Sequence, residues 1–305
     1  MRRGGAIAIA AASFLAAALA APPAPDPGTQ LENNARERHW NEPTEPAHIV
    51  GPIYYVGTAG LSSWLIKTSE GHILIDTGMP PSGPMIAESI RKLGFKPEEI
   101  RLLLVGHAHV DHVGALAYMK QLSGAKVAAL PGEVALLESG GKTDFQYGTF
   151  EQYQFEPVKV DTVLTDGEPF RLGDVSLTPI ATPGHTRGCT TFVTSVVDSG
   201  KAYKVAFPDG TSIPGYRLVK DPSYPGIADD YRRSLGALAM LSPDIWLTAH
   251  PDMFGFASKR YVAARRGAAA YVDREGYRKF ITDARENLEA TIKEQTVGGA
   301  NEEVK

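Results

Sequence analysis

Cysteine is nearly absent: Cys189 is the only one in 305 residues, so no intrachain disulfide can form even in an oxidising compartment. An excess of one charge is missing too. The formal net charge of −4 supplies no basic field for nucleic acid or an anionic membrane surface. Long apolar runs are confined to the N-terminus, where Arg2 and Arg3 precede an alanine-rich stretch, Ala6 to Leu19, and Ala18-Leu19-Ala20 stands before Ala21 and Pro22. That stretch is short of the ~20 residues a membrane span needs, and the order is that of a secretory signal peptide. Residues 1–21 are therefore expected to be removed, near Ala20 or Ala21, from a periplasmic or secreted protein. Loss of Arg2 and Arg3, with no acidic residue between Met1 and Ala21, takes the formal charge from −4 to −6. Residues 22–38, with four prolines, read as a flexible lead-in. There is no short-period repeat, and stability must come from a core that 43% hydrophobic content can fill.

What is present begins with short strands separated by glycine-bearing turns: Ile53 to Val56, Trp64 to Ile66 and His72 to Ile75. Helical spacing of Met85, Ile86, Ile90 and Leu93 predicts a helix over about 82–93 with Gly94 as its C-cap. A buried strand over 101–105, a helix over 113–122, a strand over 126–130 and a short helix over 133–138 follow. Ser139 to Pro157 reads as a long loop carrying Phe145, Tyr147, Phe150, Tyr153 and Phe155. Aromatic rings along such a loop suit either a substrate grip or a satellite core. The second half repeats this grammar, with strands over 169–172, 174–181, 189–197, 202–207 and 244–249, a helix over 227–241, and a long helix over 258–286 broken near Gly267 or Gly276. Two similar halves of strands and helices imply a four-layer αββα sandwich. The domain is expected to span 39–290, with a disordered charged tail over 291–305.

The densest chemistry is His107-Ala108-His109-Val110-Asp111-His112, directly after the buried strand. Three imidazoles and a carboxylate at a strand-to-helix turn can converge on one point, and these are zinc ligands by preference. Two more histidines stand in the same kind of position: His185 in Thr182-Pro183-Gly184-His185-Thr186, and His250 in Thr248-Ala249-His250-Pro251. His39, His48 and His72 lack that context. Asp76 ends a strand and is a natural hydrogen-bond partner for a ligand imidazole. Trp40 is either a staple for the N-terminal segment or an aromatic lid. Cys189 reads as a small apolar core residue.

The order His-x-His-x-Asp-His, then Pro-Gly-His-Thr, then a late histidine resembles the metallo-β-lactamase superfamily. Within it, Tyr55-Val56-Gly57-Thr58, Ile73 to Gly78, Gly188-Cys189-Thr190-Thr191, Pro214-Gly215-Tyr216 and Tyr224-Pro225 with Asp230-Tyr231-Arg232-Arg233-Ser234 resemble subclass B3, over about Trp40 to residue 290. The resemblance implies the αββα fold and two Zn2+ per chain, with His107, His109 and His185 on one ion and Asp111, His112 and His250 on the other. It implies hydrolysis of β-lactam amides, with Asp111 orienting the attacking water, and a small-molecule substrate. A monomer free of nucleic acid and, after signal removal, of membrane is expected. Substrate contacts are expected from Thr211, Ser212, Trp40, Phe145 and Tyr147. In two places the sequence departs from the subclass. Gly210 stands where B3 enzymes typically carry a serine, and the cysteine pair several of them use is missing, with Pro243 near one expected position. Other readings keep the fold and change the substrate to a lactone, a thioester or a phosphodiester; for these a bridging aspartate is usual, and Asp209 lies one residue from that position. A zinc-binding protein without turnover is a third reading.

Overall fold

Side-chain parity along the strands sorts the apolar residues into two cores. Trp64 and Ile66, Ile73 and Ile75, Leu104 and Ala128 enter one; Leu65, Leu74, Leu103, Val127 and Ala129 enter the other. A sheet whose strands are apolar on both faces must be covered on both. In the computed structural model, which describes the backbone of residues 38–302 and the side chains of residues 38–297, that is what happens.

The first sheet has seven strands in sequential order: β1 Ala47–Val50, β2 Ile53–Tyr55, β3 Trp64–Thr68, β4 Gly71–Ile75, β5 Ile100–Leu104, β6 Lys126–Ala129 and β7 Thr162–Val163. The first four form an antiparallel meander and the last four run parallel, joined through helices: α1 Ser82–Lys92, α2 Val110–Val113, α3 Leu116–Ser123 and α4 Pro131–Ser139. Ile86, Ile90, Leu116, Met119, Leu136 and Leu137 of these helices close the outer core. The second sheet has the order β12-β11-β10-β9-β8, built from β8 Phe170–Leu172, β9 Val175–Ala181, β10 Thr190–Asp198, β11 Lys201–Phe207 and β12 Ile245–Trp246. Its inner face, with Leu177, Phe192, Val205 and Phe207, meets Trp64 and Ile73 of the first sheet. The same core extends to Ile227, Tyr231 and Leu235 of α5 (Ile227–Leu241). After α6 (Phe256–Arg266), α7 (Arg274–Glu302) adds Tyr277, Ile281 and Leu288. The layers are helix, sheet, sheet, helix, as expected.

Several boundaries differ from the sequence reading. The expected helix over 113–122 is two pieces, and the break falls at Ala115, whose backbone leaves the helical region at φ −100° and ψ 13° and whose N–H goes to the Gly78 carbonyl at 3.4 Å. The strand expected over 244–249 pairs only at Ile245 and Trp246. The long helix does break at Gly267, with a 3-10 turn over Gly267–Ala270. Where a disordered tail is expected from 291, α7 continues to Glu302, held by Ile292 against the core and by Gln295, which accepts from the Leu218 amide at 2.7 Å and donates to the Tyr216 carbonyl at 2.7 Å. The expected signal peptide, and the lead-in apart from Arg38, lie outside the described residues.

Candidate metal centre

The five histidines, Asp111 and two further carboxylates follow the ends of strands: Asp76 after β4, His107 to His112 after β5, His185 after β9, Asp209 after β11 and His250 after β12. The two sheets thus deliver their polar residues to one edge while the strands stay apolar.

Each of three imidazoles is oriented by an oxygen. His107 Nδ1 lies 2.8 Å from Asp209 Oδ2, His109 Nε2 lies 3.3 Å from Asp144 Oδ2, and His185 Nδ1 lies 3.0 Å from the Ser212 carbonyl. An acceptor at one ring nitrogen places the proton there and leaves a lone pair on the other. Those other nitrogens converge. His109 Nδ1 and His185 Nε2 face each other at 3.0 Å, and His107 Nε2 is buried without a hydrogen-bond partner among the described residues. One ligand atom from each of the three can be chosen within 4.8 Å of the others. Three lone pairs aimed at one another repel, unless a cation sits among them. The donor set therefore fits a tetrahedral metal with three imidazoles and one open position.

A second group lies beside it. Asp111 Oδ2 is 3.1 Å from His112 Nε2 and 3.7 Å from His250 Nε2. Burial would raise the Asp111 carboxyl, but His112 and His250 outweigh it and hold the group well below the usual carboxylate range. Burial would likewise disfavour an imidazolium at His112, yet Asp111, Asp76 and Asp209 reverse that and hold it at about 9. This pocket favours positive charge, as a cation site must. His107, by contrast, is pushed down to about 4 by burial, against the pull of Asp209, and His185 is also lowered by burial. Both rings are neutral at neutral pH, as metal ligands must be.

Asp76 takes the left-handed conformation, φ 58°, which is costly for a residue with a Cβ. It accepts the Gly106 amide proton on Oδ1 at 2.8 Å and turns Oδ2 to within 3.9 Å of His112 Nδ1. It acts on that imidazole as a buried charge, its own carboxyl raised to about 7 by burial.

The expected substrate contacts are placed as follows. Trp40 packs its ring 5.3 Å from that of His250, and Tyr147 stands edge-on to His109 at 5.2 Å. Phe145 turns away, packing on Tyr216 and Tyr224 at 5.1 and 4.8 Å. Ser212 is exposed with its hydroxyl 3.1 Å from His185 Nδ1, and Thr211 beside it is half-buried. Gly210 has φ 84°, and a Cβ there would lie 2.5 Å from the Thr182 carbonyl and 2.9 Å from Cys189 Sγ. The buried thiol occupies the space a serine would need.

Three carboxylates take roles that sequence alone does not announce. Asp209, near the position of a bridging aspartate, instead sets its Oδ2 on the far nitrogen of His107. Asp144 is hidden in the aromatic loop, where its Oδ1 also accepts from the Gln146 and Tyr147 amides at 2.7 and 2.6 Å. Glu133 lies at the start of α4 and is fully buried. An acid in the first turn of a helix looks like an ordinary dipole partner, so nothing local marked it.

Comparison with known proteins agrees with this geometry. A family model described as the metallo-beta-lactamase superfamily matches residues 57–197. Among solved structures, the chain is 40% identical to the FEZ-1 metallo-beta-lactamase from Legionella gormanii, with a TM-score of 0.81 over 84% of this chain and 98% of that one. It is 36% identical to BJP-1, a subclass B3 metallo-beta-lactamase of Bradyrhizobium japonicum, with a TM-score of 0.81 over 86% and 98%. A probable metallo-hydrolase of Burkholderia pseudomallei (strain 1710b) is 28% identical over 144 residues, 45% of this chain and 48% of that protein. The chain spans about half the length, or less, of several of the curated relatives it matches.

Proposed function

The chain belongs to the metallo-β-lactamase superfamily and, within it, to subclass B3, and from that premise we propose that it is a zinc-dependent hydrolase that opens the amide bond of β-lactam antibiotics. The observation that carries the reading is the pairing of a three-imidazole site with an Asp111, His112 and His250 site at one sheet edge. Zinc held by these residues would supply Lewis-acid polarisation of the substrate carbonyl and a water of lowered pKa.

The protein's own groups do the rest. His107, His109 and His185 turn their inner nitrogens toward one another, with the outer ones held by Asp209, Asp144 and the Ser212 carbonyl. Asp111, ionised throughout the physiological range, accepts a hydrogen bond from the attacking water and aims its lone pair at the carbonyl carbon. Trp40 and Tyr147 flank His250 and His109 and form apolar walls for the bicyclic substrate. Thr211 and Ser212 stand where a hydroxyl can receive the substrate carboxylate, a task that Gly210 cannot share. Ring strain in a four-membered amide lowers the demand for a separate acid at the leaving nitrogen. We also place the mature protein outside the cytoplasm, on the strength of the charged and apolar order of Arg2 to Ala21.

The test is hydrolysis of a carbapenem and a cephalosporin by the purified protein, alongside a lactone and a thioester. Ring opening that a chelator abolishes and zinc restores is the expected result. Turnover of the lactone or thioester alone, with no β-lactam opened, would overturn the substrate assignment.

A further inference from the structure

Glu133 has no part in the chemistry above, yet it is fully buried and sits between the two ligand loops. Its Oε2 accepts the amide proton of Ala108, the residue between His107 and His109, at 2.8 Å. Its Oε1 accepts the Gly188 amide proton at 3.0 Å and the hydroxyl proton of Thr186, which adjoins His185. Among the described residues all three side-chain hydrogen bonds come from these two loops, which lie far apart in sequence. Contact is close enough to demand glycine on both sides: a Cβ on Gly132 would lie 2.6 Å from the Gly188 backbone, and one on Gly188 would strike the Glu133 amide nitrogen. A buried carboxylate is costly to desolvate, so three donors at this one place point to a role beyond filling space.

We propose that Glu133 is the positioning residue that sets the distance between the His107–His109 loop and the His185 loop, and thereby the zinc affinity of the three-imidazole site. The inference rests on the zinc reading above. Glu133 touches neither metal nor substrate; it acts by fixing the backbone on which three ligands stand. Small displacements matter here because a tetrahedral zinc tolerates ligand distances only within about 0.2 Å.

Glu133→Gln separates this role from mere packing. Its amide oxygen can still take Thr186 and Gly188, but its NH2 then meets the Ala108 N–H, donor against donor. Zinc affinity is measured by competition with a chromophoric chelator, together with the visible spectrum of the cobalt(II)-loaded protein and the melting temperature of the metal-free protein. The expected result is a zinc dissociation constant about 10–100-fold higher and an altered cobalt spectrum in Glu133→Gln. Thr186→Val, which deletes one donor, should shift in the same direction, and Thr186→Ser should restore the parental values. Should Glu133→Gln fail to fold, the Thr186 pair decides. Parental zinc affinity and cobalt spectrum in the folded variants, with only the melting temperature changed, overturn the inference while the parent's zinc binding and β-lactam turnover leave the hydrolase reading intact. A parent that binds no zinc overturns both.

Discussion

His109 Nδ1 and His185 Nε2 face each other at 3.0 Å while the opposite nitrogen of each ring is committed to an oxygen, Asp144 Oδ2 for His109 and the Ser212 carbonyl for His185. A neutral ring that keeps its outer bond has no proton left to give the other. A pair of acceptors at this distance fits a cation between them.

Asp209→Asn should weaken zinc binding without unfolding the protein. Asp209 Oδ1 accepts the Gly210 amide proton at 2.7 Å and Oδ2 serves His107 at 2.8 Å, so both oxygens are needed as acceptors. Asparagine offers one oxygen and must set its NH2 against a donor on the other side. Chelator competition should show zinc affinity lower by about tenfold or more, with circular dichroism unchanged. Unaltered affinity would mean that Asp209 does not hold the His107 tautomer.

Restoring the serine usual in subclass B3 should not improve this protein. At Gly210 a side chain meets the Thr182 carbonyl, the Cys189 thiol and an unfavourable φ of 84° together. Gly210→Ser is expected to cost about 1–3 kcal/mol of stability and to lower β-lactam turnover. Urea unfolding and steady-state rates on the one variant check both. A faster, equally stable enzyme would show that the 207–212 segment takes another path.

His72 supplies a pH dependence far from the site. Both its ring nitrogens are buried without a hydrogen bond among the described residues, Glu99 approaches Nε2 only to 3.8 Å, Phe95 covers one edge, and burial, ahead of the weaker pull of Glu99, lowers its pKa from 6.5. The folded chain takes up its proton at a lower pH than the unfolded chain does, so this residue's contribution makes stability fall as pH drops below about 6.5. Urea midpoints of the chelated protein at about pH 7 and pH 5.5 should differ less for His72→Leu than for the parent. The variant should also be more stable at the higher pH by about 1 kcal/mol, because two buried ring nitrogens without a hydrogen bond among the described residues are gone. An identical pH slope in both proteins would contradict the argument.

Much of this was legible in the residues. Strand-end histidines declare themselves because polar groups directly after apolar runs have few packing explanations, and His107, His109, His112, His185 and His250 all stand in that position. The two-halves pattern was enough for the four layers. What stayed hidden were groups whose roles exist only in three dimensions. Glu133 joins loops that meet only after folding, Asp144 lies in a segment whose aromatic residues drew the eye, and Asp209 is one residue from the position at which a bridging ligand was sought. The end of α7 was misjudged for a related reason: its charged composition suggests a solvated tail, while Ile292 and Gln295 find partners in distant segments.

The most direct measurement counts zinc and follows carbapenem hydrolysis in the same preparations of parent and His185→Ala. About two zincs per chain with turnover in the parent, and loss of turnover with at most about one zinc in the variant, is what two adjacent sites of this composition require. Undiminished hydrolysis or unchanged zinc in His185→Ala would contradict the account at its centre.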